Sequence, residues 1–252
     1  MNRRELREQR EISIVEKTIQ LLSAQGFIGM RMSDVAKASG YSMGTIYSHF
    51  ESKEDLLLAC AYTLCMDEKS LFLEIASLSI PDVEKIITVA QCSWLISMQH
   101  PDLIEIDSLS LMPSVWRRAT EYRAERLNRL HVELAQTFLG IVVKAIENDM
   151  NGYFKLDEAE REKLAHHLTH GMWGLCVGLS STAQSGYAST LCPKSDDESY
   201  VHFTTNYINF LRGYGWKEES PEIVFERCIE VANRCIGNTA WYATDNKNRI
   251  AA

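Results

Sequence analysis

The sequence predicts an all-α fold. Apolar residues recur at helical rather than strand spacing, capping and breaking residues sit where helices of ordinary length would begin and end, and no run alternates apolar and polar as a half-buried strand does. The first periodic segment carries Ile12, Val15, Ile19 and Leu22 over about residues 5–25, and Gly26 ends it. Phe27 is expected to tuck under the first helices. Two short helices follow at about 33–39 and 42–50, the second capped by Ser42. Ser52 caps a longer helix over about 53–76, whose opening Glu54 and Asp55 suit the positive end of the helix dipole. Pro81 and Pro101 start or break further helices. One long helical stretch is expected over about 114–148, and Gly152 turns the chain. Asp157 then caps a helix carrying Leu164, Leu168, Gly171, Met172, Leu175 and Leu179 along one side. Residues 185–199 read as a loop, 200–211 and 221–236 as the closing helices, and the polar chain beyond Gly237 as a loose tail.

Composition narrows the class without naming a function. The 252 residues are 46% hydrophobic and 24% charged, as in ordinary globular chains. Seven cysteines, an odd number without a C-x-x-C pair, argue against a disulfide framework and fit a reducing cytoplasm. Residues 1–11 alternate basic and acidic groups, so no secretory signal is expected. The longest charge-free run, 170–193, is rich in Gly, Ser and Thr and does not suit a membrane span. The net charge of −8 is unevenly spread. Residues 1–53 hold eight Lys/Arg against six Asp/Glu, hence +2, while the rest hold eighteen against twenty-eight, hence −10. The N-terminal part can therefore turn a small basic face to phosphates.

The informative segment is 32–53, M-S-D-V-A-K-A-S-G-Y-S-M-G-T-I-Y-S-H-F-E-S-K. Two helices crossing steeply need a small residue at their contact, which Ala36 supplies. The tight turn between them needs tolerance of positive φ, which Gly40 supplies, and Ile46 offers a branched apolar group to the first helix. This is the logic of a helix-turn-helix. It leaves Met43, Gly44, Thr45, Tyr47, Ser48 and His49 to point outward from the helix that would enter a major groove. Tyr47, Ser48 and His49 can donate to phosphates or bases, and Lys53 at the next helix start suits a phosphate.

At these residues the chain resembles the tetracycline-repressor (TetR) family. The family's glycine–aromatic pair reads Gly26-Phe27. Its Asp/Glu–Ile/Val–Ala helix reads Asp34-Val35-Ala36, its glycine turn is Gly40, and its terminal string reads G-T-I-Y-S-H-F-E-S-K-E-D-L from Gly44 to Leu56. The close match covers about thirty residues; the remainder agrees in helical layout, including residues 151–175. The resemblance implies a three-helix DNA-binding domain over 1–53, a helical effector-binding and dimerisation domain over 54–240, a flexible tail over 241–252, and a homodimer. It implies DNA-facing positions at Met32, Ser33, Met43, Gly44, Thr45, Tyr47, Ser48, His49 and Lys53. It also implies repression of a palindromic operator, relieved by a small-molecule effector, in the bacterial cytoplasm and on the nucleoid. Two departures stand out. Met30 and Arg31 occupy positions where the family often has Thr, and Tyr41 stands where a small aliphatic residue is usual.

Arg3, Arg7 and Arg10 share a face that is expected to be solvated, with Arg4–Glu8 and Arg7–Glu11 pairs. His166, His167 and His170 lack a nearby Cys or second carboxylate at ligand spacing, so no metal and no cofactor are expected. Trp94, Met98, Met112, Trp116, Tyr122, Met172, Trp173 and Cys176 are candidates to line an effector pocket. Gly171, Gly174 and Gly178 would let a partner helix approach closely, as in a dimer interface. A small helical enzyme and a protein-interaction scaffold are the rival readings, but no nucleophile elbow, phosphate loop or metal string supports the first.

Overall fold

Periodicity and caps place most helices where the chain forms them. The computed structural model describes residues 2–150, 156–185 and 196–243. It runs α1 (Arg3–Gly29), α2 (Met32–Ser39), α3 (Met43–His49), α4 (Lys53–Ser77), α5 (Asp82–Gln99), α6 (Pro101–Ser110), α7 (Pro113–Trp116), α8 (Glu121–Asn148), α9 (Glu158–Gln184), α10 (Asp196–Gly213) and α11 (Pro221–Gly237). Among the described residues there is no strand, only an isolated bridge between Met150 and Trp216. No described helix is long and apolar enough to cross a membrane. The six described cysteines are buried and free.

The chain divides into two compact units. One comprises the chain up to Lys69, His100–Glu133 and the described segment from Ala240; the other comprises Ser70–Gln99 and Leu134–Thr239. In the first, α1 buries Ile14, Val15, Ile19 and Leu22, and Gly26 breaks its geometry at φ 69°, ψ 166°. The core continues through Val35, Ile46, Phe50, Leu56, Leu57, Leu103 and Leu127. In the second, α5 is buried on nearly every side from Val83 to Ser97 and packs on α9 and α11. Trp94 stacks on Phe203 with centroids 4.7 Å apart, and Tyr207 bridges Phe203 and Phe225.

Three expectations are corrected. The stretch 114–148 is two helices, broken between Trp116 and Glu121. The break has a tertiary cause: the buried Asp55 carboxylate accepts from both the backbone N–H (2.7 Å) and the hydroxyl (2.9 Å) of Thr120, which seats the start of α8 there. Trp241 and Tyr242 are not part of a loose tail. Tyr242 is buried, and the Trp241 N–H donates to Asp67. The last helix pair begins earlier than 200, at Asp196. The turn at Gly152 and most of the loop 185–199 lie outside the described residues.

Candidate nucleic-acid interface

The α2–turn–α3 unit follows from local chemistry. Asp34 accepts from the Arg31 N–H at the start of α2, which is the reach-back half of a capping box, while Arg31 itself supplies no side-chain cap. Gly40 closes α2 at φ 73°, and a Cβ there would meet nothing within 4 Å, so the requirement for glycine is backbone conformation rather than space. Ser42 caps α3 by accepting from the Thr45 N–H at 3.2 Å, and the two hydroxyls pair at 3.0 Å. Ala36 and Ile46 are buried between the two helices.

The predicted DNA-facing residues divide by helix face. Ser33, Met43, Gly44, Tyr47 and Ser48 are exposed, and Thr45 is half-buried against Ser42. Met32 and His49 are instead buried. Both sit on the inward face: Met32 precedes Val35 and Ala36 by three and four residues, and Ile46 precedes His49 and Phe50 likewise. That spacing was present in the sequence and could have excluded them. Lys53 is also turned inward. Its ammonium lies 4.2 Å from the centroid of the Phe27 ring and donates to the Phe27 carbonyl, which the kink at Gly26 places within reach.

The far end of α3 is held by residues that sequence reasoning did not select. Arg7 of α1 donates to the Ser48 carbonyl (2.9 Å), and Arg123 of α8 donates to the His49 carbonyl (3.2 Å). These guanidinium groups satisfy carbonyls that a seven-residue helix leaves unpaired, at its negative end. Glu11 joins them, accepting from Arg123 at 2.7 Å and lying 3.4 Å from His49 Nδ1. Glu11 thus pairs with Arg123 rather than with Arg7, whereas the expected Arg4–Glu8 pair forms. Burial pushes the Glu11 carboxyl up, but Arg123 and His49 more than offset this and hold it below the usual carboxylate range. Burial lowers the His49 imidazole, Glu11 opposes that shift, and Arg7 adds to it. Tyr41 lies under the Arg10 guanidinium, 5.8 Å from its ring centroid, so the larger turn residue is taken up against α1.

The eight pocket candidates are divided between the two units. Trp94, Met172 and Cys176 are buried in the second unit, where Met98 is half-buried and Trp173 is 57% exposed. Met112, Trp116 and Tyr122 belong to the first unit, and Met112 and Tyr122 are exposed. The first unit does contain a cavity of about 350 Å³, walled by α1, α4, the start of α8 and Trp241, with Ile12, Val15 and Leu58 beside Glu11, Arg123 and Arg126. On α9 of the second unit, a Cβ at Gly171 would fall 2.4 Å from the Phe210 ring, so this glycine serves internal packing with α10. Gly174 and Gly178 face open space beside the exposed Trp173 and Val177.

Residues 14–60 match the family described as "Bacterial regulatory proteins, tetR family". A curated relative, the uncharacterised HTH-type transcriptional regulator YerO of Bacillus subtilis, is 41% identical over 54 residues, which is 21% of this chain and only 19% of that protein. Among solved structures, FadR of Bacillus subtilis in complex with stearoyl-CoA aligns over 86% of this chain and 97% of its own, with 16% identity and a TM-score of 0.54. The ketosteroid regulator KstR2 of Mycobacterium tuberculosis aligns over 83% and 96%, with 14% identity and the same TM-score. At these identities the two structures share the fold with this chain.

Proposed function

We propose that this chain, which belongs to the tetR family of bacterial regulatory proteins, binds operator DNA as a homodimer and releases it when a small molecule binds. The observation that carries this reading is the outward face of α3. Tyr47 and Ser48 are exposed there, while Ile46 and Phe50 anchor the opposite face. Gly44 is exposed, and a Cβ at that position would meet only Ser42 Oγ at 3.9 Å. Nothing inside the chain therefore calls for glycine at 44, which suits close approach by an outside surface. Tyr47 and Ser48, together with Ser33 and Arg31 at the start of α2, contact phosphates. Met43 and the half-buried Thr45 meet base edges. Two such heads related by a two-fold axis read half-sites about 34–36 Å apart.

The second copy associates through the outer face of α9, where Trp173, Gly174, Val177 and Gly178 present apolar and small groups. FadR, crystallised with stearoyl-CoA, supports a ligand-responsive reading for a chain of this fold. The effector site is the cavity of the first unit. Its size falls in the range of small-molecule pockets, and its wall includes Glu11 and Arg123, which also hold the end of α3. A ligand that displaces Arg123 from the His49 carbonyl shifts the reading helix directly, with a coupling of about 1–3 kcal/mol. The cytoplasm is the setting for this function. No observation favours an enzyme or a scaffold.

The test is fluorescence anisotropy on DNA from upstream of the chain's own gene, across a salt series. Arg31→Ala should weaken binding to all sequences and reduce the salt slope by about one unit where its guanidinium meets a phosphate, whereas Tyr47→Phe should weaken binding with the slope unchanged, because a neutral hydroxyl displaces no counterion. Absence of sequence-preferring binding by the folded wild type would end the proposal.

A further inference from the structure

A thiol, a carboxylate and an imidazole from three helices of the first unit converge on one point. Cys65 of α4, Asp107 of α6 and His131 of α8 each bring one ligand atom within 4.8 Å of the other two. Cys65 Sγ and His131 Nε2 are 3.6 Å apart. A tetrahedral zinc ion, with Zn–S near 2.3 Å and Zn–N near 2.0–2.1 Å, places such atoms roughly 3.6 Å from each other. A thiol–imidazole hydrogen bond alone would also account for that distance. The carboxylates distinguish the two. Asp107 brings a carboxylate oxygen within 4.8 Å of both other ligand atoms, which a thiol–imidazole pair alone does not require, and Glu68, one helical turn beyond Cys65, adds a second carboxyl group on α4. Carboxyl groups gathered beside a thiol away from bulk water are costly to ionise unaided, and a divalent ion removes that cost.

We propose that Cys65, Asp107 and His131 form a binding site for a zinc-class divalent cation, with the fourth position of the ion left to water. The donor set selects the ion. Thiolate and imidazole suit Zn²⁺ and disfavour Mg²⁺ and Ca²⁺, which take oxygen ligands. Access suits it too, since Cys65 is buried while Asp107 and His131 are only half-buried. On binding, the Cys65 thiol releases its proton to solvent and the thiolate becomes the ligand. The ion ties α4, α6 and α8 together within one unit. The histidines of α9 lack these features: His166, His167 and His170 line an open face with Lys163, Glu162 and Ala159 and no cysteine. The site does not depend on DNA binding, so zinc uptake by a chain that fails to bind DNA would sink the functional proposal and leave this one standing.

The experiment is a cobalt(II) titration of the full-length, reduced, chelator-treated chain. One equivalent should produce a thiolate-to-cobalt charge-transfer band together with the intense visible bands of a tetrahedral site, and zinc should abolish both. Cys65→Ser should remove the charge-transfer band, while Cys92→Ser, which alters a cysteine of the second unit, should leave it intact. His131→Gln and Asp107→Asn should each weaken cobalt affinity by about tenfold or more. Circular dichroism confirms that each variant is folded, and should Cys65→Ser fail that check, His131→Gln and Asp107→Asn carry the assignment. A folded wild type that shows no charge-transfer band at saturating cobalt overturns the site, as does a band that survives in folded Cys65→Ser, or affinity unchanged in both ligand variants.

Discussion

α3 and α9 both turn a strip of residues away from their own unit, and the strips differ in chemistry and in support. On α3 the exposed groups are Met43, Gly44, Tyr47 and Ser48; on α9 they include Trp173, Gly174, Val177 and Gly178. α3 has seven residues and could not persist alone in water. It is held by Ile46 and Phe50 from beneath, by Ser42 at its start, and by Arg7 and Arg123 at its end. α9 has twenty-seven residues and its own buried stripe of Ala165, Leu168, Met172, Cys176 and Ser180. A short helix positioned by its neighbours can leave its polar groups for a polar partner. A long helix with a buried stripe of its own can leave an apolar strip for a partner of its own kind.

The largest expected effect tests the support under α3. Ile46→Ala should cost about 2–5 kcal/mol and abolish DNA binding, read by thermal unfolding and anisotropy. A small loss of stability would mean that α3 does not lean on Ile46. Next comes the outer strip of α9. Trp173→Ala should leave the chain folded but loosen self-association by about 2 kcal/mol or more if this face meets a second copy. Sedimentation equilibrium measures this, and an unchanged dissociation constant would remove α9 from the interface.

A glycine pair separates inward from outward on the same helix. Gly171→Ala should destabilise the monomer by about 1–3 kcal/mol unless the Phe210 ring rotates away. Gly174→Ala, with nothing within 4 Å, should add up to about 1 kcal/mol of helix propensity. Equal effects would dissolve the distinction. The smallest effect concerns pH. The folded chain holds His49 below its ordinary 6.5, so as pH falls through 6.5 the unfolded chain takes up a proton that the folded one resists. Stability should therefore fall from pH 6.5 downward by at most about 1.4 kcal/mol per pH unit. The lowered Glu11 carboxyl adds a second loss below about 4.5. His49→Gln should flatten the first window in thermal melts and shrink the second, which then rests on Arg123.

What was legible from residues alone was short in range. Gly26, Gly40, the caps Ser42 and Asp157, and the prolines that open α6 and α11 act on backbone within about four positions, so their effect is written beside them. The same spacing argument, carried one step further, would have placed Met32 and His49 inside. The meeting of Arg123 with Glu11 across 112 positions, of Lys53 with Phe27, and of Cys65 with His131 had no local signature. Nor did the separation of Trp94 from Trp116 into different units. Such encounters depend on how buried helix faces settle against one another, because packing apolar stripes fixes crossing and register and thereby delivers each charged or ligating side chain to its partner.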